Sequence, residues 1–109
     1  MLSQFDFHAR MSDLTAPALV TFTAAGCGAC RHLRRVMQDV RRQQPRWALF
    51  EVDAARDQAL TNEFEVFHLP TIFLFSGGVF HCQLEAAATP SAIISATFAA
   101  LQQPRQEAP

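Results

Sequence analysis

Ala18-Leu19-Val20-Thr21-Phe22-Thr23, then Ala24-Ala25-Gly26, then Cys27-Gly28-Ala29-Cys30: this stretch decides the fold. Its first six residues form a near-continuous apolar run, the pattern of a strand buried on both faces. From Cys30 to Gln43 the period changes. Leu33, Val36, Met37 and Val40 recur at helical spacing and make one apolar stripe, with Arg31, Arg34, Arg35, Arg41 and Arg42 on the opposite face. Pro45 stops the helix. A strand that feeds a helix through a C-x-x-C turn reads as a dithiol redox site. Cys27 falls at the helix start, where free backbone N–H groups and the macrodipole favour a negative sulfur. Cys30 lies one helical turn on, so the two sulfurs are neighbours.

Outward from this centre the remaining elements follow in order. Upstream, Gln4 to Ser12 reads as a short helix with Phe5 and Met11 inward. Downstream, Trp47 to Asp53 is a mostly apolar strand, and Ala54 to Phe64 a helix with Leu60 and Phe64 inward. After Leu69-Pro70, the β-branched and aromatic run Thr71 to Phe75 is a strand. Ser76-Gly77-Gly78 signals a hairpin turn. Val79 to Leu84 returns antiparallel, with Phe80, Cys82 and Leu84 alternating against His81 and Gln83. Thr89 caps the last helix, Pro90 takes its first position, and Ile93, Ile94, Thr97, Phe98 and Leu101 form its inner face. The order α-β-α-β-α-β-β-α predicts an α/β fold, a central mixed sheet of four or five strands flanked by helices. The domain is expected to span residues 1–102, with a flexible polar tail over 103–109.

Length and composition bound the function. A chain of 109 residues makes one domain and buries roughly 65% of its unfolded surface, so it needs no disulfide staples. Half the residues are hydrophobic, and a net charge of −1 gives no bulk nucleic-acid surface. No run reaches the ~18 apolar residues of a membrane span. The start, Met1 to Asp6, has neither the basic nor the apolar region of a secretory signal. The expectation is a soluble cytoplasmic protein, where Cys27 and Cys30 are mostly reduced and a purely structural bridge is disfavoured. A zinc site needs about four ligands. Cys27, Cys30 and His32 offer three, and His32 points elsewhere from the same helix, while His81 or Cys82 would come from a distant strand. The prediction is therefore no metal. Cys82, between Phe80 and Leu84, reads as a buried structural thiol.

Taken together these motifs resemble the thioredoxin family. The match rests on Leu19 to Phe22 before Cys27-Gly28-Ala29-Cys30, on Val52-Asp53 closing the next strand, on Leu69-Pro70-Thr71 before the hairpin, and on Gly77-Gly78 with the final helix. It covers roughly residues 15 to 102, with the family's first strand shortened or absent. The resemblance implies that Cys27 attacks, that Cys30 is the buried resolving thiol, and that Pro70 is a cis-proline beside them. The residue types of Leu69-Pro70 alone leave cis and trans open. It implies a groove at Gly26, Leu69, Pro70 and Thr71 where an extended client pairs by backbone hydrogen bonds. His68 next to it either donates to a substrate or tunes the thiolate, or is a plain surface residue.

Four departures from the family pattern bear on efficiency. Gly26 stands where a Trp precedes the first cysteine, and Ala29 where a Pro separates the pair. Thr21 and Leu49 replace a buried Asp and its Lys partner, which removes the general base beneath the resolving thiol. Water or Glu51 is then the substitute. Arg31 adds positive potential that favours a thiolate at Cys27, and the Arg-rich helix face is either a solvated face or a surface for acidic partners. The implied function is a thiol–disulfide oxidoreductase for protein disulfides, monomeric, with the Cys27–Cys30 disulfide as its only redox group. A thioredoxin reductase would re-reduce it, with no nucleic-acid or membrane partner. The competing expectation is a binding or assembly module of the same fold with little redox turnover.

Overall fold

The apolar run Ala18–Thr23 forms β1, buried at every position in the centre of a four-stranded sheet. The structure, a computed structural model, describes residues 1–109. Around β1 lie α1 (Phe7–Ser12), α2 (Gly28–Gln43), β2 (Ala48–Asp53), α3 (Gln58–Glu63), β3 (Thr71–Ser76), β4 (Val79–Leu84) and α4 (Pro90–Leu101). The sheet order is β2-β1-β3-β4. β2 runs parallel to β1, β3 antiparallel to β1, and β4 antiparallel to β3. The sheet is thus mixed and flanked by helices, as the sequence predicts. No helix is long and apolar enough to cross a membrane.

Period-two alternation along β1 splits the core into two layers. Ala18, Val20 and Phe22 point into a cluster with Phe7, Phe64, Phe73, Phe75 and Phe80. Their rings meet edge-on or tilted, as in Phe22–Phe73 at 5.6 Å and Phe73–Phe80 at 5.7 Å, the arrangement favoured by the ring quadrupole. Leu19 points the other way, onto Leu33, Val36, Met37 and Val40 of α2 and Ile93 of α4. The helical stripe read from the sequence is therefore the face that docks α2.

Three expectations are corrected. Phe5 is not inward: it is 89% exposed, and the buried aromatic of α1 is Phe7, because the helix starts at Phe7 rather than Gln4. The segment from Ala54 is not yet helix. Asp53 Oδ1 accepts from the amides of Ala55 and Arg56, and that side-chain turn delays α3 to Gln58. In β4 the simple alternation fails. Leu74 pairs with Cys82 but Phe75 pairs with Phe80, so His81 is an extra residue in a β-bulge. The bulge turns Phe80 toward the aromatic layer while Cys82 and Leu84 face the α2/α4 layer. His81 is buried and its Nε2 donates to the Ala100 carbonyl of α4 at 2.7 Å. Its own carbonyl accepts from the Gln106 amide at 2.7 Å, which lays part of the C-terminal segment along β4.

On the inner face of α4, Ile93 and Thr97 are buried, but Phe98 is half exposed and packs edge-on against Trp47. The hairpin glycines are dictated by backbone. Gly78 has φ +80°, and a Cβ there would collide with the Met11 carbonyl, so β3–β4 and the end of α1 approach one another only through glycine.

Candidate functional site

The C-terminal end of β1 gathers the site. After Thr23 the chain turns through Ala24-Ala25-Gly26 and enters α2 with Cys27 as its N-cap. Cys27 has extended backbone (φ −90°, ψ 110°), and its Sγ accepts from the Cys30 amide at 3.1 Å. A sulfur thus stands where a Ser or Asp oxygen normally caps a helix. The same N–H would hold a thiolate, and the helix dipole adds to it. Cys27 and Cys30 are joined as a disulfide with Cα atoms 5.2 Å apart. Their exposure differs: Cys27 is half-buried and Cys30 is 0% exposed. Only the first sulfur is reachable by a partner.

β3 brings the second half. Thr71 pairs with Phe22 in antiparallel register, so the chain enters the sheet from His68-Leu69-Pro70 at the end where β1 leaves for the cysteine turn. The Leu69–Pro70 peptide is cis. Leu69 is exposed and Pro70 half-buried, whereas Thr71 is buried, with its hydroxyl donating to the His68 carbonyl. The Thr71 side chain therefore holds the loop in shape. His68 is exposed, and beside it Phe67 is 82% exposed, a large apolar side chain on the loop that leads into Pro70. No sequence signal distinguished Phe67 from the many phenylalanines of the core.

Gly26 is exposed at φ +80°, with nothing within 4 Å of where a Cβ would stand. Space does not exclude a side chain here; the left-handed backbone does. Arg31 lies on the first turn of α2, its Nη2 4.0 Å from the position of a Cβ on Gly28. The guanidinium is thus over the helix start that carries Cys27. His32 turns away and its Nε2 meets the Ala88 carbonyl at 3.0 Å. No three His, Cys, Asp or Glu side chains converge anywhere in the chain. Cys82 is a free, buried thiol on a distant strand, and burial pushes its pKa up.

Beneath the helix the departures are filled by neutral groups. Thr21 is buried and its hydroxyl donates to the Phe50 carbonyl at 3.3 Å. Leu49 packs against the α2 layer. Glu51 is engaged elsewhere: Arg34 Nη2 and the Thr23 hydroxyl both donate to its Oε2 at 2.6 Å. The hydrogen bonds from Arg34 hold the Glu51 carboxyl below the usual carboxylate range, against the opposing pull of burial. A carboxylate held so firmly ionised is a poor base. This Arg34–Glu51–Thr23 cluster ties α2 to β2 and β1, and nothing in the sequence pattern singles it out.

The sign of that shift gives a pH test. A depressed carboxyl contributes stability above its unfolded value, about pH 4.3, and loses it as pH falls through the lower folded value. Arg34 is 44% exposed, so the pair is heavily screened. Glu51→Gln should lower stability by only ~0.5–1 kcal/mol at neutral pH, and the difference should vanish in strong acid. Urea unfolding at both pH values measures it, and an unchanged difference in acid would refute the linkage.

The sequence profile of the thioredoxin family matches residues 1–99. The chain is 30% identical over 73 residues to a bifunctional thioredoxin reductase/thioredoxin of Mycobacterium leprae, a match that covers 66% of this chain and 16% of that protein. It is 28% identical over 60 residues to a thioredoxin of Mycoplasmoides gallisepticum, covering 55% of this chain and 60% of the relative. In both, the matched part is less than two thirds of the relative's length. Among solved structures, thioredoxin from Trypanosoma brucei brucei superposes with a TM-score of 0.79 at 22% identity, over 94% of this chain and 89% of that one.

Proposed function

The chain belongs to the thioredoxin family, and from that premise we propose that it is a thiol–disulfide oxidoreductase that reduces or exchanges protein disulfides through Cys27 and Cys30. The observation that carries this is the asymmetry of the pair: an accessible sulfur capped by a backbone N–H, bonded to one that is fully buried. In the reduced protein, the Cys27 thiolate attacks one sulfur of a client disulfide and the other client sulfur leaves as a thiolate. The mixed disulfide lies against Gly26, Leu69 and Pro70, with Thr71 shaping the loop. Cys30 loses its proton and attacks the Cys27 sulfur. The client's second sulfur leaves reduced, and the Cys27–Cys30 disulfide returns. Two electrons have passed from the protein to the client.

Regeneration needs a two-electron donor, and a thioredoxin reductase is the class that fits. The Mycobacterium leprae relative carries both names in one protein. The proposed setting is the reducing cytoplasm, and the proposed state a monomer. Arg31 supports the thiolate by its charge. Thr21, Leu49 and the committed Glu51 leave Cys30 to give its proton to solvent, so resolution is the slow step.

A glutathione redox titration with thiol trapping tests the assignment. Cys27 and Cys30 should interconvert reversibly between dithiol and disulfide at a potential near the cytosolic glutathione poise. A pair that does not cycle, in a protein that still holds a client peptide, would transfer the assignment to a binding module.

A further inference from the structure

Beside Thr21, Leu49 and Glu51 lies the outer edge of β2, a strand with a neighbouring strand on one side only. The amides of Ala48 and Ala54 donate to Pro17 and Thr23 on the β1 side. By the period of two, Leu49 and Glu51 direct their backbone groups outward. Their carbonyls are satisfied: Arg41 Nη2 donates to Leu49 O at 3.1 Å, and the Leu2 amide to Glu51 O at 2.7 Å. Their outward amides donate to no acceptor in the protein. What the edge lacks is acceptors.

An open cavity of about 350 Å³ runs along this edge. Arg10 and Phe50 line it on one side, and Arg34, Gln38 and Arg41 of α2 on the other, while Met1 and Leu2 sit at its Glu51 end. Glu51 is its only acid and is already paired with Arg34. The Arg10 guanidinium rests over the Phe50 ring at 5.3 Å without a carboxylate partner, and Arg41 has none either. An added strand would place alternate side chains toward Arg10 on one face of the sheet and toward Arg41 on the other. We infer that the outer edge of β2 docks an extended acidic segment of a partner protein, by strand addition at Leu49 with carboxylates reaching Arg10 and Arg41. The cavity is large enough for a few residues of such a segment. The Leu49 carbonyl has a second lone pair and can accept from the incoming strand while keeping Arg41. The site uses neither cysteine, so it stands or falls separately from the redox assignment.

The probe is a capped pentapeptide with adjacent glutamates, Val-Glu-Glu-Glu-Val, which presents carboxylates on both faces of the added strand; it is titrated into the full chain and followed by amide NMR. Saturable shifts at the Leu49 and Glu51 amides are expected, weakening as salt is raised. The double variant Arg10→Gln/Arg41→Gln should bind at least about tenfold more weakly. Both residues are exposed, and an otherwise unchanged spectrum verifies its fold. Cys27→Ser should bind the peptide as wild type does. The proposal is overturned if the Leu49 and Glu51 amides do not move, or if a Gln-for-Glu peptide binds equally. It is also overturned if free glutarate reproduces the shifts in full, which would leave a small-anion pocket, or if the peptide perturbs the Leu69-Pro70 loop instead.

Discussion

Cys27→Ser should reduce protein disulfides no faster than the uncatalysed reaction, a loss of at least about a thousandfold, or ~4 kcal/mol in barrier. A hydroxyl does not exchange with a disulfide at neutral pH, because the attacking species must be a thiolate. Cys30 cannot take over, since it is 0% exposed behind the first turn of α2. The substitution is also unusually clean structurally. Cys27 is the N-cap of α2, and Ser is among the best capping residues, so the Cys30 amide keeps an acceptor. The reduced wild type and the variant should therefore unfold at nearly the same denaturant concentration. Insulin reduction driven by a dithiol measures the activity, and substantial surviving turnover would place the nucleophile elsewhere.

Cys30→Ser should complete the first half of the reaction and stop. Cys27 keeps its position and its exposure, attacks, and forms the mixed disulfide; no second sulfur then displaces the client. Under non-reducing conditions one client per protein should remain covalently bound, and steady-state turnover should fall to the rate at which external thiol releases it. The wild type should show a weaker form of the same behaviour. With Thr21 and Leu49 neutral and Glu51 held by Arg34, no side chain collects the Cys30 proton. Single-turnover traces should show a transient mixed disulfide that decays faster as pH rises. Release as prompt as attack, independent of pH near neutrality, would refute the idea that resolution lacks a base.

The elements governed by local pattern were legible in the sequence. β1 announced itself by an unbroken apolar run, α2 by its stripe and its stop at Pro45, and the cysteine pair by spacing. What escaped was set by distant partners. Whether Phe5 or Phe7 fills the core depends on where α1 meets the aromatic layer, which the chain's own period does not encode. The bulge at His81 depends on the pairing of β3 with β4 and on the Ala100 carbonyl that receives the imidazole. Glu51 was available as a base on paper; only folding brings Arg34 and Thr23 onto its oxygens. Gly26 was visible as a missing aromatic side chain, but its left-handed backbone was not.

That backbone makes position 26 an evolutionary ratchet. A mutation that put a Trp there in one step would meet φ +80° before it gained any docking surface, and would be selected against on folding alone. The turn of Ala24-Ala25-Gly26 must first relax to a right-handed path through changes at its neighbours. The effect of any residue at 26 is thus epistatic on the turn around it.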